Sequence, residues 1–263
     1  MAELIILLIG TVFAWYNFMK KERAKDPFYR EFVAAFEINP FSDKTRELAL
    51  EVNRRFALQV SDPETPLAVN EWSRAVNTGR ELRRREKTPD VIFISPYLRT
   101  RQTLDALMEG WPELRRVRVY EEERIREQSH GLASLYNDWK VFFALYPNQK
   151  KLYDLEGFYW YQWPQGERVP QVKDRSRSWM TTLTRDFYNQ KVLAVSHQLT
   201  MLSVRANFER WSAEEFQRVD WEEKPINCGV TKYVGRPHLG RNGHFTLQYY
   251  NLDLSGFEAV SIA

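Results

Sequence analysis

The clearest pattern in the chain is Val91-Ile92-Phe93-Ile94, four β-branched or aromatic residues in a row after Asp90. A strand buried on both faces of a parallel sheet reads this way, because neither face tolerates polar alternation. Pro96 stops the strand, having no N–H for the ladder. From Arg101 onward Leu104, Leu107 and Met108 recur at helical spacing. Lys191–Val195 predicts a second buried strand, ending at Ser196-His197, with Leu199, Leu202 and Ala206 opening the helix behind it. Val117–Tyr120 predicts a short strand. Cys228–Val234 and Phe245–Tyr250 predict a closing hairpin around the turn Leu239–Gly243.

Helical spacing fills the intervals. Phe28, Phe32, Val33 and Phe36 form one apolar stripe and Leu48, Val52 and Phe56 another, with Pro40 between them. Ser61–Thr65 reads as loop. Asn70 is the expected N-cap of a helix burying Trp72, Ala75, Val76, Gly79 and Leu82. Leu132–Leu145 predicts one aromatic-rich helix, and Val169–Tyr188 another with Val172, Trp179, Leu183 and Phe187 inward. The cluster Phe158–Trp163 suits either core packing or part of a cap over a site. Strands alternating with helices imply an α/β three-layer sandwich around a mainly parallel central sheet. No linker-like boundary interrupts residues 1–263, so the expectation is a single domain with helical insertions at about 18–60 and 132–168.

The N-terminal run admits three readings. Leu4–Ile9 suits a central strand, and this reading fits best. Leu4–Met19 followed by Lys20, Lys21, Arg23 and Lys25 also suits an anchor that leaves the domain in the cytoplasm, but it falls short of the ~20 apolar residues a spanning helix needs, and Asn17 interrupts it. A cleaved signal peptide fits least, since Glu3 stands where a basic residue belongs and no small-x-small site follows.

Composition removes several classes. With 38 basic and 35 acidic residues the net charge is only +3, and the basic residues are scattered, so no nucleic-acid partner is expected. The single cysteine, Cys228, excludes an intrachain disulfide and a Cys-rich zinc site. A reducing, cytoplasmic setting is compatible with that.

The strand ends carry the candidate chemistry. Arg99 falls just past one buried strand and near a helix start, where open α/β sheets bind ligands and helix N-termini favour anions. His197 ends the other, and Glu127 lies on a loop able to reach the same rim. Arginine and histidine donors suit phosphoryl oxygens, and a carboxylic acid suits protonation of a leaving alkoxide. Taken singly, Arg99 is equally a surface ion-pair partner and His197 a capping or core residue.

Together these residues resemble the histidine phosphatase superfamily, in its phosphoglycerate-mutase-like branch. Ser95-Pro96-Tyr97-Leu98-Arg99-Thr100-Arg101-Gln102-Thr103 is similar to its Ser-Pro-x-x-Arg-Ala-x-Gln-Thr motif. Pro66-Leu67 resembles its Pro-Leu-Thr-x-x-Gly segment, with Ala68 and Glu71 at the threonine and glycine positions. Arg124–Gly131 resembles the segment carrying the family's acid glutamate, and Gly166-Glu167 with Val172 and Arg175 its Gly-Glu-Ser helix start. Val195-Ser196-His197 resembles the strand ending in its second histidine, and Pro225–Cys228 its late Pro-Asn-Cys turn.

The resemblance implies phosphomonoester hydrolysis or phosphoryl transfer without metal or organic cofactor. It implies a pocket in which Arg99, His197 and Asn17 hold phosphate, with Glu127, His197 and Arg99 as the catalytic set. The family's nucleophilic histidine belongs to an Arg-His-Gly or Arg-His-Ala motif after the first strand, and that motif is absent here. Aligning Asn17 with the asparagine seven residues after the motif arginine puts Gly10 at the arginine and Thr11 at the nucleophile. Threonine offers no basic nitrogen to attack phosphorus. The expectation is therefore a family member of weak or lost activity. The alternative is a pseudoenzyme, a non-catalytic module binding a phosphorylated small molecule, a phosphopeptide or a protein, with a membrane tether as a less favoured addition.

Overall fold

Strand β1, Ile5–Thr11, lies in the middle of a six-stranded sheet. The structure is a computed structural model that describes residues 4–11, 23–56, 60–136, 138–236 and 244–256. The chain divides into two compact units, residues 1–14, 66–127 and 172–263 in the first and residues 15–65 and 128–171 in the second.

The first unit holds the sheet. Its other strands are β2 (Val91–Ile94), β3 (Arg118–Glu121), β4 (Lys191–His197), β5 (Val230–Arg236) and β6 (His244–Leu252). Their order is β3-β2-β4-β1-β5-β6. The pairs β3–β2, β2–β4 and β4–β1 are parallel, and β1–β5 and β5–β6 antiparallel. β1 is thus bonded on both sides, so Ile5–Thr11 forms no membrane-spanning helix. The remainder of the candidate anchor, Val12–Met19, lies outside the described residues. No helix among the described residues is long and apolar enough to cross a membrane.

Both faces of the sheet are covered, which explains the unbroken apolar runs. On one face Ile6, Leu8, Phe93, Val192 and Ala194 meet Trp179 and Leu183 of α7 (Val169–Asp186) and Met201 and Val204 of α8 (Gln198–Glu209). On the other, Leu7, Ile9, Ile92, Ile94, Leu193 and Val195 meet Leu82 of α3 (Val69–Arg85) and Leu104 and Leu107 of α4 (Leu98–Gly110). Helices α3 and α4 approach closely because position 79 is glycine. A Cβ there would lie 2.4 Å from the Leu107 carbonyl oxygen. Helix α9 (Ala213–Glu222), capped by Ser212, is an element the sequence pattern does not predict.

Helix α3 corrects the expected cap. It begins at Val69 with Ala68 at the cap and no side-chain bond, so Asn70 lies inside the first turn. Upstream, the Leu67 N–H donates to Gln102 Oε1 at 2.7 Å, which fixes the chain before the helix starts.

The second unit is helical: α1 (Pro27–Ile38), α2 (Asp43–Phe56), α5 (Trp139–Leu145) and α6 (Pro147–Trp160). The Asp26 side chain caps α1 through the Phe28 and Tyr29 N–H groups. The single helix expected over Leu132–Leu145 is two pieces, a 3₁₀ turn at Gly131–Tyr136 and then α5. Asp138 explains the restart, because its carboxylate accepts the Lys140 N–H at 2.8 Å and so caps a new helix. Helix α6 was also unforeseen, and Gly157 kinks it at φ 74°. Tyr161 and Trp163 are buried with Phe32, Phe142 and Phe143, so these two aromatics serve as core.

Candidate functional site

The site residues of the first unit sit where β2 and β4 hand over to helices. His197 is the last residue of β4 and the cap position of α8, and it is fully buried. Its Nε2 lies 2.7 Å from Ser95 Oγ, one residue past β2. The Tyr97 ring packs edge-on against the imidazole, with centroids 5.0 Å apart. The Arg99 guanidinium lies 4.7 Å from the centre of the same Tyr97 ring. Arg99 and His197 are therefore separated by no more than a tyrosine. Burial and the nearby charges of Arg99 and Arg175 hold the His197 pKa well below 6.5, so its ring is neutral at pH 7.

Local hydrogen bonds shape the turn that aims Arg99. Thr100 Oγ1 donates to the carbonyls of Ser95 and Tyr97 at 2.7 and 2.6 Å. Thr103 Oγ1 donates to the Arg99 carbonyl at 2.8 Å. Arg99 is 2% exposed although it is a charged residue, which places it among the groups that proteins bury only with partners.

Glu127 is equally buried, and its Oε2 faces the N–H of Leu199 in the first turn of α8 at 3.4 Å. The three residues separated by up to 98 positions along the chain thus gather beside one strand-to-helix junction. Arg175, read from the sequence only as part of a helix start, contributes a second positive charge near His197. Ser95 and Thr200 were not singled out as site residues either. Ser95 opens the Ser95–Thr103 motif, whereas Thr200 carries no sequence signal.

On the neighbouring strand, Gly10 is in register with Ser196 and Thr11 with His197 across the parallel β1–β4 pair. The Gly10 carbonyl accepts the Cys228 N–H at 2.9 Å. A Cβ at position 10 would lie 2.6 Å from Met201 Sδ, so the space beside this glycine is occupied. Asn17 lies outside the described residues. Among the described residues no cluster of three or more His, Cys, Asp or Glu side chains is arranged to hold a metal ion.

Comparison with known proteins agrees with this architecture. Residues 50–242 match the histidine phosphatase superfamily (branch 1). Phosphoglycerate mutase-like protein AT74H of Arabidopsis thaliana is 28% identical over 169 residues, which is 60% of this chain and 55% of that protein. The chain spans about half the length of the curated relatives it matches. The crystal structure of alpha-ribazole phosphatase from Shigella flexneri superposes with a TM-score of 0.64 at 15% identity, covering 98% of this chain and 100% of that one. Mycobacterial glucosyl-3-phosphoglycerate phosphatase, solved in complex with inorganic phosphate, gives 0.59 at 17% identity, covering 97% and 99%. These two likenesses concern the fold. With the family match extending over well more than half of the sequence, the chain belongs to the histidine phosphatase superfamily, branch 1.

Proposed function

We propose that the junction of β2, β4 and α8 is a pocket for a phosphomonoester, and that turnover there is weak or lost. Arg99 and neutral His197 supply donors for phosphoryl oxygens. Glu127, held at the same junction, supplies the carboxylic acid that protonates a leaving alkoxide. The carrying observation is the β1–β4 register, which sets Thr11 opposite His197. In this reading Thr11 stands at the nucleophile position and Gly10 at that of its arginine. A threonine hydroxyl lacks the basic ring nitrogen that attacks phosphorus in this family, and losing one member of a catalytic unit costs as much as about 10⁶-fold in turnover.

A phosphate-bound relative of the same fold supports the ligand class, and that ligand is a property of the mycobacterial protein. The same Thr11 register favours a second reading, in which the domain binds a phosphorylated small molecule or phosphopeptide without processing it. The test is hydrolysis of a generic aryl phosphate by the unmodified chain beside the double variant Gly10→Arg/Thr11→His. Slow or absent turnover by the unmodified chain is expected, and the variant shows whether the occupied space beside position 10 admits the arginine. Robust turnover by the unmodified chain, abolished by His197→Ala, would show that Thr11 has been assigned the wrong role.

A further inference from the structure

The loop carrying Glu127 is held by side chains along four successive carbonyls. Arg175 Nη1 donates to the Arg124 carbonyl at 2.8 Å, and its Nη2 to the Glu127 carbonyl at 3.1 Å. Ser196 Oγ donates to the Ile125 carbonyl at 2.8 Å. Thr200 Oγ1 donates to the Arg126 carbonyl at 2.6 Å. Irregular backbone normally satisfies its carbonyls with water at the surface. Here a planar guanidinium clasps both ends of the segment, and two hydroxyls fill the middle. The hydroxyls come from the residues one before and three after His197, so the histidine's own element grips the acid's loop. Ser196 and Thr200 are each buried, and both hydroxyls donate to this loop.

We infer that Arg175, Ser196 and Thr200 are positioning residues that lock the Glu127 carboxyl at a set offset from His197, assembling the pocket before a ligand arrives. The inference rests on the phosphate-site reading above. Its physical basis is that an acid displaced by about an ångström loses most of its effect on a bound group. A guanidinium suits the task better than an ammonium, because its rigid fork reaches two acceptors in one plane. None of the three side chains has to touch the ligand.

The test measures affinity for inorganic phosphate by calorimetry, at about pH 8 so that phosphate is mostly dianionic and carboxylates are ionised. Glu127→Gln removes a carboxylate from beside the anion and is expected to tighten phosphate binding roughly threefold or more in the unmodified chain. In an Arg175→Met background that gain should vanish, because the carboxyl no longer faces the ligand. Arg175→Lys should restore part of it. The double variant Ser196→Ala/Thr200→Val should also lose the gain, and it carries the test if Arg175→Met does not fold. A gain from Glu127→Gln that is the same with and without Arg175, or no gain in either, overturns the inference while leaving the phosphate site standing. Absence of phosphate binding by the unmodified chain overturns the site itself, and the positioning role with it.

Discussion

His197 and Ser95 are joined across the ends of β4 and β2, with 2.7 Å between Nε2 and Oγ. A hydroxyl both donates and accepts, so it fits either tautomer of a neutral imidazole. That contact sets the ring's orientation between Tyr97 on one side and the α8 start on the other.

Ser95→Ala takes this hydrogen bond from a fully buried ring. It should lower the free energy of unfolding by about 1–3 kcal/mol in urea titration, with no change in the m-value. An unchanged midpoint would mean that the Ser95 contact adds nothing to the ring's stability.

Phosphate should stabilise the folded chain through Arg99. A ligand at 100 times its Kd adds about 2.7 kcal/mol, which appears as a raised Tm in differential scanning calorimetry. Arg99→Met should abolish the phosphate-dependent rise. A rise of equal size in the variant would place the anion elsewhere.

Acid should destabilise the protein through two histidines, the buried His197 and the partly buried His130. Burial pulls the His130 pKa below 6.5, against the opposing charges of Asp62 and Glu167. His197 is pulled further, by burial and by the charges of Arg99 and Arg175. Between the folded values and 6.5 the unfolded chain binds more protons, so stability rises with pH in that window. The contribution is fully present above about 6.5 and is lost as pH falls through the folded values. Each histidine adds at most about 1.4 kcal/mol per pH unit to the slope. Urea titrations from about pH 5.5 to about pH 7.5 should show it, and His130→Gln should reduce it to the share of His197. A pH-independent midpoint in that range would contradict the neutral state of both rings.

Glu86 holds two cations at the opposite end of the sheet. Its carboxylate takes Lys191 Nζ at 2.6 Å and Lys232 Nζ at 2.7 Å, and the Tyr249 hydroxyl at 3.3 Å. Glu86→Gln leaves two mostly buried ammonium groups facing each other and should cost about 3–5 kcal/mol in chemical denaturation. Adding Lys232→Met should recover part of that loss.

Some of this was visible in the residue order. Val91–Ile94 and Lys191–Val195 read as two-faced buried strands, and both prove to be interior strands in the parallel part of a mixed sheet covered by helices on each face. The residues past those strands, Arg99 and His197, were found because a strand end is a local feature. Other elements were not legible. Asp138 splits one apolar stretch into two pieces by capping, which competes with the aromatic spacing around it. Helix α6 carries Tyr153, Leu155, Tyr159 and Trp160 on several sides, so no single stripe announces it.

Pattern along the chain decides which segments are buried and where they stop, because burial and chain breaks depend on near neighbours. It is silent on which buried strand lies beside which. The order β3-β2-β4-β1 brings Ser95, Glu127 and His197 to one junction, and a one-residue slip of β1 against β4 would set Gly10 or Val12 opposite His197 in place of Thr11. Register is settled by the sum of side-chain fits across the whole sheet, and that sum exists only once distant segments have met.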